Sequence, residues 1–228
     1  MKFGVVVFPG SNCDMDMVYV LETIIGQEVV KLWHKDTDLQ GCEFIVLPGG
    51  FSYGDYLRSG AIARFSPIME KVIEFANNGG YVMGICNGFQ ILVETGLVPG
   101  VLLRNKYLEF ICKNVFIKIQ NKENLYFKNL NKDIFEFHIA HNEGNYFCTR
   151  DQLNEIEDNN QIAAYYCDIN GKTDEQYNPN GSLKNIAGVF NKEKNVLGMM
   201  PHPERMIDKS LSGEDGSLFF KNLINNIR

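Results

Sequence analysis

The residue in this chain with the clearest chemical signature is Cys86, which lies in the segment 84–90, GICNGFQ. The apolar run before it predicts a buried strand and the pattern after it predicts a helix, so the cysteine occupies an abrupt turn. Such a turn strains the backbone of its central residue, and the nearby glycines leave room for it. We expect the sulfur to be exposed at the carboxyl edge of the sheet, where the positive end of the helix stabilises a thiolate. We therefore predict that Cys86 is a nucleophile.

The other five cysteines do not share this setting. No two cysteines in the chain are spaced as C-x-x-C, so the sequence indicates neither a zinc site nor a redox motif, and we expect no metal. An isolated cysteine is most often a small buried apolar residue. We interpret five cysteines in this way: Cys13, Cys42, Cys112, Cys148 and Cys167.

A cysteine nucleophile needs a base and a group that orients the base. His202 should emerge at the end of the strand predicted at 196–200, and Glu204 lies two positions further on. The prolines on either side of His202 exclude a helix, so we expect an extended backbone on which both side chains point the same way. His141 has the same spacing from Glu143. The spacing favours His202 as the base and leaves His141 open.

Acyl transfer also needs donors for the oxyanion, commonly the backbone N–H after the nucleophile and a second N–H from a separate loop. Asn87 would supply the first. Gly50 would supply the second, because it follows a predicted strand and glycine allows a close approach of the backbone, although PGG at 48–50 is equally typical of a simple turn. Gln90 lies one helical turn after Cys86 and could bind a primary amide of the substrate.

Alternating strands and helices would position these residues. The first half of the chain predicts strands at 2–8, 28–33, 43–47 and 81–85, with helices at 15–25, at 66–77 capped by Ser66, and at 89–94. That order is typical of a mostly parallel sheet. The second half predicts antiparallel or mixed additions at 112–119, 134–139, 162–167 and 186–200, polar loops or short helices at 121–133 and 149–160, and a final helix at 216–227. We therefore predict one α/β domain over residues 1–228.

Composition excludes several classes of protein. The 228 residues, 45% hydrophobic and 22% charged, are typical of a globular protein, and a net charge of −6 without a dense basic block argues against a nucleic-acid partner. We see no signal peptide and no apolar run near the ~20 residues that span a bilayer, so we predict a cytoplasmic protein with no membrane partner. Residues 171–173, GKT, resemble the end of a phosphate-binding loop, but Tyr166 replaces the required glycine. The chain should hold no ATP of its own.

The motifs G-x-C-x-G-x-Q at 84–90 and H-P-E at 202–204 are those of the class I, or triad, glutamine amidotransferases, and the chain resembles that family. Within the family, the resemblance is closest to the glutaminase subunits of phosphoribosylformylglycinamidine synthases, and it covers nearly the whole chain. One departure is Asn142, where these subunits more often have glycine; asparagine adopts a left-handed backbone more readily than other non-glycine residues. Four segments carry the resemblance: FPGSNCD at 8–14, LPGGFSYGDYLRSGAIA at 47–63, GICNGFQ at 84–90 and MPHPER at 200–205.

This resemblance implies a flavodoxin-like fold and a subunit that hydrolyses glutamine to glutamate and ammonia. It implies that Cys86 is the nucleophile, His202 the base and Glu204 the residue that orients the base, which decides against His141. The ammonia would pass to a separate ATP-dependent synthetase that makes formylglycinamidine ribonucleotide, with a third small subunit in the complex. ATP and Mg²⁺ would belong to the synthetase, and this chain would need no cofactor.

The sequence is compatible with two other functions. One is a glutaminase that feeds ammonia to a different acceptor. The other is a non-catalytic sensor on the same fold, whose reactive cysteine lies at the turn between strand and helix, called the elbow. A sensor has no need of the H-P-E motif. The long loop at 51–65 is a hinge that a partner moves or a static surface loop; four of its residues offer contacts to a partner: Tyr53, Asp55, Tyr56 and Arg58.

Overall fold

The structure is a computed structural model that describes residues 1–210 and 213–227, and these contain eleven strands and five α-helices. The strands are β1 (Lys2–Val7), β2 (Glu28–Trp33), β3 (Phe44–Leu47), β4 (Tyr81–Ile85), β5 (Val101–Leu103), β6 (Ile111–Ile119), β7 (Ile134–His141), β8 (Asn145–Phe147), β9 (Ile162–Cys167), β10 (Ile186–Phe190) and β11 (Val196–Met199). The helices are α1 (Asp14–Tyr19), which continues as a π-helical turn over Val20–Ile24, α2 (Pro67–Asn77), α3 (Asn87–Thr95), α4 (Arg150–Asp158) and α5 (Asp215–Ile227). Leu211, Ser212 and Arg228 belong to the predicted domain and lie outside the described residues.

Nine strands form one mixed sheet in the order β2-β1-β3-β4-β11-β10-β9-β6-β7. The strands from β2 to β11 in this order run parallel to one another, and the remaining four are joined by antiparallel pairings. The predicted fold class is therefore confirmed: an α/β protein whose parallel sheet is flanked by helices and extended by antiparallel strands. β5 and β8 pair with each other in a second, small sheet that the sequence did not predict.

The parallel part of the sheet forms the centre of the core. Every residue of β3 and β11 is buried, and so are all residues of β4 except its first. Consecutive buried positions mean that both faces of the strand are covered, as is usual for parallel sheets. α3 packs on β3, β4 and β11, and α2 packs on β4. None of the helices in the described part of the chain is long and apolar enough to cross a membrane.

The structure refines several predicted elements and corrects one. The run at 186–200 is two strands, β10 and β11, joined by a turn. Residues 149–160, predicted as a polar loop or a short helix, contain the short helix α4, which begins with a reciprocal capping box between Thr149 and Gln152. Ser66 occupies the position before α2, but its hydroxyl lies 2.9 Å from the hydroxyl of Tyr53 and does not cap the helix.

The packing of α3 on the sheet depends on glycine at position 88. A Cβ atom added to Gly88 would collide with the carbonyl group of Leu47 at the end of β3. A Cβ atom added to Gly84 would lie 2.6 Å from the carbonyl oxygen of Gly88. The helix that follows Cys86 therefore approaches the neighbouring strands more closely than any residue with a side chain would allow.

We predict that Gly88→Ala destabilises the protein by at least about 3 kcal/mol, because overpacking against backbone outweighs the roughly 1 kcal/mol by which alanine favours a helix. Chemical denaturation measures the change. Gly96→Ala, at the end of the same helix, is the control. Nothing lies within 4 Å of its added methyl, and only its φ of +75° is unfavourable, at a cost of roughly 1–2 kcal/mol. Equal destabilisation by the two variants would contradict this account of the packing.

Candidate active site

Cys86 lies between the last residue of β4 and the first residue of α3. Its backbone has φ +50° and ψ −104°, a conformation that costs a non-glycine residue about 1–3 kcal/mol and persists only where the surroundings impose it. The strained turn predicted from the sequence is thus present. The expectation of an exposed sulfur is wrong, because Cys86 is only 5% exposed. Its Sγ instead lies in the wall of a partly open cavity, 3.7 Å from the carbonyl oxygen of Ala140.

His202 and Glu204 form a buried pair beside this cysteine. Nδ1 of His202 lies 2.6 Å from Oε1 of Glu204, and both side chains are almost completely buried. Burial alone would lower the pKa of His202, but the charges of Glu204 and Cys86 raise it above its usual value. Within the described residues, Nε2 of His202 has no hydrogen-bond partner. That nitrogen is therefore free to exchange a proton with the thiol or with a bound ligand.

Backbone contacts fix the position of the imidazole. The N–H of His202 donates to the carbonyl oxygen of His138 at 2.8 Å. A Cβ atom at Gly49 would lie 2.6 Å from Cε1 of His202, so the ring packs directly against the backbone at Gly49. The predicted extended backbone after His202 is wrong: Pro203–Arg205 forms a 3₁₀ turn. Proline is compatible with the first position of such a turn, and the turn still brings the carboxylate to the ring.

A cavity of about 200 Å³ opens in front of Cys86. Drug-sized ligands occupy roughly 300–1,000 Å³, so this volume suits a smaller molecule such as an amino acid. Two of the predicted binding residues, Gly50 and Gln90, are in its wall together with Cys86. Other lining residues are Phe51, Asp55, Ser59, Arg104, Ala140, His141, Asn142 and Glu143.

Gln90 is held in one orientation by hydrogen bonds. Its Nε2 donates to the carbonyl oxygen of Glu143 at 2.7 Å, and its Oε1 accepts from Nδ2 of Asn87 at 2.8 Å. Oδ1 of Asn87 in turn accepts from the N–H of Ser52 at 3.1 Å. These contacts use one of the two N–H groups of the Gln90 amide and hold the side chain in place, so the second N–H remains for a ligand. The arrangement can donate to a ligand oxygen in the cavity.

The two predicted oxyanion donors occupy suitable backbone positions. Gly50 has φ +137°, and a Cβ atom there would lie 2.6 Å from the backbone of both Ser11 and Asn12, so only glycine fits. Asn87 begins α3 and is fully buried. The first N–H groups of a helix have no intrahelical acceptor. Both positions can therefore supply an N–H group to charge that develops beside Cys86.

His141, the other histidine considered as a base, also lines the cavity. Its Nδ1 lies 3.1 Å from Oδ1 of Asn105, and burial lowers its pKa to about 4. Glu143 does not orient it, because that carboxylate accepts from the N–H of Ser59 at 3.3 Å and lies 3.9 Å from Arg104. The two His–Glu pairs thus have equal spacing in the sequence but different contacts in the structure. Asn142 has no positive φ, so the left-handed conformation that asparagine allows is not used.

Sequence reasoning did not assign Asp55, Glu143 and Arg104 to the cavity. Burial raises the pKa of Asp55 to about 6; a hydrogen bond with Ser59 opposes this effect and the charge of Glu143 adds to it. Two carboxylates and one guanidinium around one small cavity can bind an ammonium and a carboxylate group, as an amino acid requires. The three residues come from separate loops, so their meeting in one cavity is not visible in the sequence, although Asp55 lies in the segment 47–63 that carries the resemblance. The described residues contain no group of three or more His, Cys, Asp or Glu side chains that could hold a metal ion.

The loop at 51–65 is tied to the rest of the molecule by its own side chains. Arg58 forms a two-pronged ion pair with Glu94 of α3, with N–O distances of 2.5 and 2.6 Å. The hydroxyl of Tyr53 lies 2.6 Å from Nδ1 of His34. Of the four residues considered as partner contacts, Tyr56 is the most exposed, whereas Tyr53 and Arg58 contact this chain and Asp55 faces the cavity.

Known proteins are similar to this chain over all or nearly all of its length. The phosphoribosylformylglycinamidine synthase subunit PurQ of Pelagibacter ubique is 67% identical over 228 residues and covers 100% of both chains. The subunit of the same name from Moorella thermoacetica is 53% identical over 217 residues, 95% of this chain and 92% of that one.

Solved structures show the same fold. A PurLQS structure from Thermotoga maritima matches with a TM-score of 0.87 and 39% identity, over 100% of this chain and 99% of that chain. A second structure from Thermotoga maritima, described as a glutamine amidotransferase, has 15% identity and a TM-score of 0.63 over 100% of this chain and 97% of that one, and shows the fold alone. Residues 1–214 match the family of CobB/CobQ-like glutamine amidotransferase domains. The resemblance found in the sequence is confirmed, and the chain belongs to the CobB/CobQ-like glutamine amidotransferase domain family.

Proposed function

We propose that this protein is the glutaminase subunit of a phosphoribosylformylglycinamidine synthase, acting in purine biosynthesis, and that residues 1–228 form a single amidotransferase domain. The observation that carries the proposal is the buried pair of His202 and Glu204, bonded at 2.6 Å beside the strained elbow cysteine. A base oriented by a carboxylate next to a nucleophile is the arrangement that acyl transfer requires. Relatives carrying that subunit name cover the whole chain.

The first half of the proposed reaction transfers the glutamyl group to the enzyme. The Cys86 thiolate attacks the side-chain carbonyl carbon of glutamine, and the N–H groups of Gly50 and Asn87 stabilise the oxyanion. The proton on Nε2 of His202 passes to the departing nitrogen, which leaves as ammonia. The products of this step are a glutamyl thioester on Cys86 and a neutral imidazole, with Glu204 accepting from Nδ1 throughout.

The second half of the reaction restores the enzyme. His202 removes a proton from water, the hydroxide attacks the thioester carbonyl, and the C–S bond breaks to leave the Cys86 thiolate and a carboxylic acid, which loses its proton to solvent and departs as glutamate. The proton taken from water stays on Nε2 of His202, so the Cys86 thiolate and the protonated imidazole with which the reaction began are restored. No step needs a metal or an organic cofactor in this chain.

Substrate recognition follows from the charges in the cavity. The fixed amide of Gln90 would donate a hydrogen bond to the side-chain carbonyl oxygen of glutamine. Asp55 and Glu143 would accept from its α-ammonium group, and Arg104 would bind its α-carboxylate. The zwitterionic end of glutamine would therefore lie at these charged side chains, and its neutral side-chain amide would lie at Cys86.

The partner in the proposal is an ATP-dependent synthetase that uses the ammonia to convert formylglycinamide ribonucleotide to formylglycinamidine ribonucleotide. ATP and Mg²⁺ would bind to that synthetase, and a third small subunit would join the complex in the cytoplasm. The solved relative from Thermotoga maritima, described as PurLQS, supports such an assembly. A non-catalytic sensor is a weaker alternative, because it would not require a buried carboxylate to orient His202.

The loop at 51–65 is the proposed link between assembly and activity. Asp55 and Ser59 of this loop line the cavity, and Arg58 ties the loop to α3 through Glu94. A partner that contacts the exposed Tyr56 and Leu57 would move this wall of the cavity. Completing a site only when the partner docks prevents the release of free ammonia.

We predict that a glutamine-like electrophile, such as a chloroketone analogue of glutamine, modifies Cys86 before any other cysteine. Such a reagent keeps the side-chain carbonyl and the zwitterionic end of glutamine, so the cavity would bind it with its reactive carbon at that sulfur. Peptide mapping by mass spectrometry identifies the site. Cys13→Ser is the matched control, since Cys13 is buried nearby and burial raises the pKa of its thiol to about 12. Glutaminase activity that survives Cys86→Ala would refute the assignment.

We predict that His202→Ala in the complete complex abolishes synthesis from glutamine, by about 10³-fold or more, since general acid and base catalysis is lost. Synthesis from added ammonium salts should continue, because external ammonia bypasses the glutaminase site. Assays with each nitrogen source give the comparison, and His141→Ala, which removes a cavity residue that no carboxylate orients, should reduce synthesis from glutamine far less. The reverse pattern for the two histidines would show that His141 is the base.

We predict that the isolated chain hydrolyses glutamine slowly and that the synthetase accelerates it. Arg58→Ala should raise the activity of the isolated chain and reduce the acceleration, because the loop loses its ion pair with Glu94. Lys71→Ala, which removes the exposed pair with Glu74 on α2, is the control. An isolated chain as fast as the complex would exclude gating, and unchanged activation of Arg58→Ala would exclude this residue from it.

A further inference from the structure

Cys112 differs from every other cysteine of the chain. All six cysteines are among the described residues and none forms a disulfide; five are buried and Cys112, on β6, is exposed. The prediction that it is a buried structural cysteine is therefore wrong. Cys112, Lys113 and Asn114 are all exposed near the start of β6, and Cys112 and Asn114 share one face of the strand.

A histidine lies within hydrogen-bond distance of this exposed thiol. Sγ of Cys112 is 3.4 Å from Nε2 of His138 on the neighbouring strand β7. Nδ1 of the same ring is 3.0 Å from Oδ1 of Asn114. The three side chains repeat the order of a nucleophile, a base and a group that orients the base.

The tautomer of His138 follows from a fourth residue. Nδ2 of Asn114 donates to the carboxylate of Glu136 at 3.2 Å, and a carboxylate only accepts. This contact fixes which end of the Asn114 amide faces the ring, so that Oδ1 accepts from Nδ1–H of His138. Nε2 of the neutral ring then carries the lone pair and faces the Cys112 thiol. Burial, followed by the charges of His202 and Arg205, lowers the pKa of His138, which keeps the ring neutral and able to accept the thiol proton.

A depression of about 510 Å³ lies beside Cys112. Its volume is within the usual range for small-molecule sites. The wall contains charges of both signs, from Glu109, Lys113 and Glu175, and the amide of Asn178. A peptide-like small molecule with carboxylate, ammonium and amide groups matches these side chains.

We propose that Cys112 is a redox modification site, at which His138 activates the thiol for exchange with a low-molecular-weight, peptide-like disulfide bound in this depression. The thiol proton moves to Nε2 of His138, and the thiolate attacks one sulfur of the small disulfide. A new bond joins Cys112 to that sulfur while the original S–S bond breaks. The departing thiolate takes the proton from His138, so Cys112 is oxidised and half of the small molecule is reduced to a thiol. A reducing thiol reverses the exchange.

The experiment measures the rate of mixed-disulfide formation between the full-length chain and glutathione disulfide near neutral pH, with mass spectrometry to locate the adduct. Cys112 should react at least about tenfold faster than the same cysteine in a synthetic peptide of residues 109–115, because the adjacent imidazole accepts the thiol proton during the attack. His138→Gln should reduce the rate to that of the peptide. Cys42→Ser, a change at a buried thiol, should leave it unchanged.

A second variant keeps the test decisive if His138→Gln fails to fold, as judged by thermal unfolding. Asn114→Ala retains the imidazole but removes the acceptor that fixes its tautomer, and it should slow the exchange several-fold. A wild-type rate equal to that of the peptide, a rate that the folded His138 variant leaves unchanged, or an adduct located mainly on another cysteine would each overturn the proposal.

Discussion

The pair of His202 and Glu204 is the interaction on which the rest of this structure depends. Removing either charge from water costs several kcal/mol, and only close, well-oriented contact offsets that cost. The contact is 2.6 Å, and one carboxylate oxygen has no partner among the described residues, so Nδ1 of the imidazole supplies most of the compensation. Three backbone features hold it: the 3₁₀ turn after His202, the carbonyl of His138 and the close approach of Gly49. The carboxylate proposed to orient the base is thus one half of a buried charge pair that the fold must keep intact.

Close approach of backbone explains why the site is rich in glycine. Gly88 lets α3 approach β3. In the loop after β3, Gly50 lets the backbone lie on the loop after β1, and Gly49 lets the ring of His202 contact the backbone. Each glycine belongs to a different contact, yet all three contacts meet around Cys86. A side chain at any of these positions would push apart the elements that hold Cys86, His202 and the proposed oxyanion donors.

The parts of the site that the sequence predicted well are those defined within a few residues. The elbow around Cys86 is a strand, a strained residue and a helix in direct succession, so seven residues contain the pattern. α4 could have been found in the same way, since Thr149 and Gln152 have the spacing of a capping box. Features that depend on distant segments were missed. Asp55 and Arg104 reach the cavity from separate loops, and the exposure of Cys112 depends on which face of β6 remains uncovered, which alternation alone does not reveal.

The bond between His202 and His138 has a consequence for the edge of the sheet. β7 is the last strand in the sheet order, and an edge strand presents unpaired backbone groups that favour aggregation. The segment after β11 occupies one of these groups, through the β-bridge between His138 and His202. The base of the proposed reaction therefore also protects the sheet edge. Local opening of β7 costs less free energy than unfolding of the central strands. It would release the imidazole of His202 and, in the same event, expose unpaired backbone groups at the sheet edge. Inactivation and the onset of aggregation would then share one structural cause.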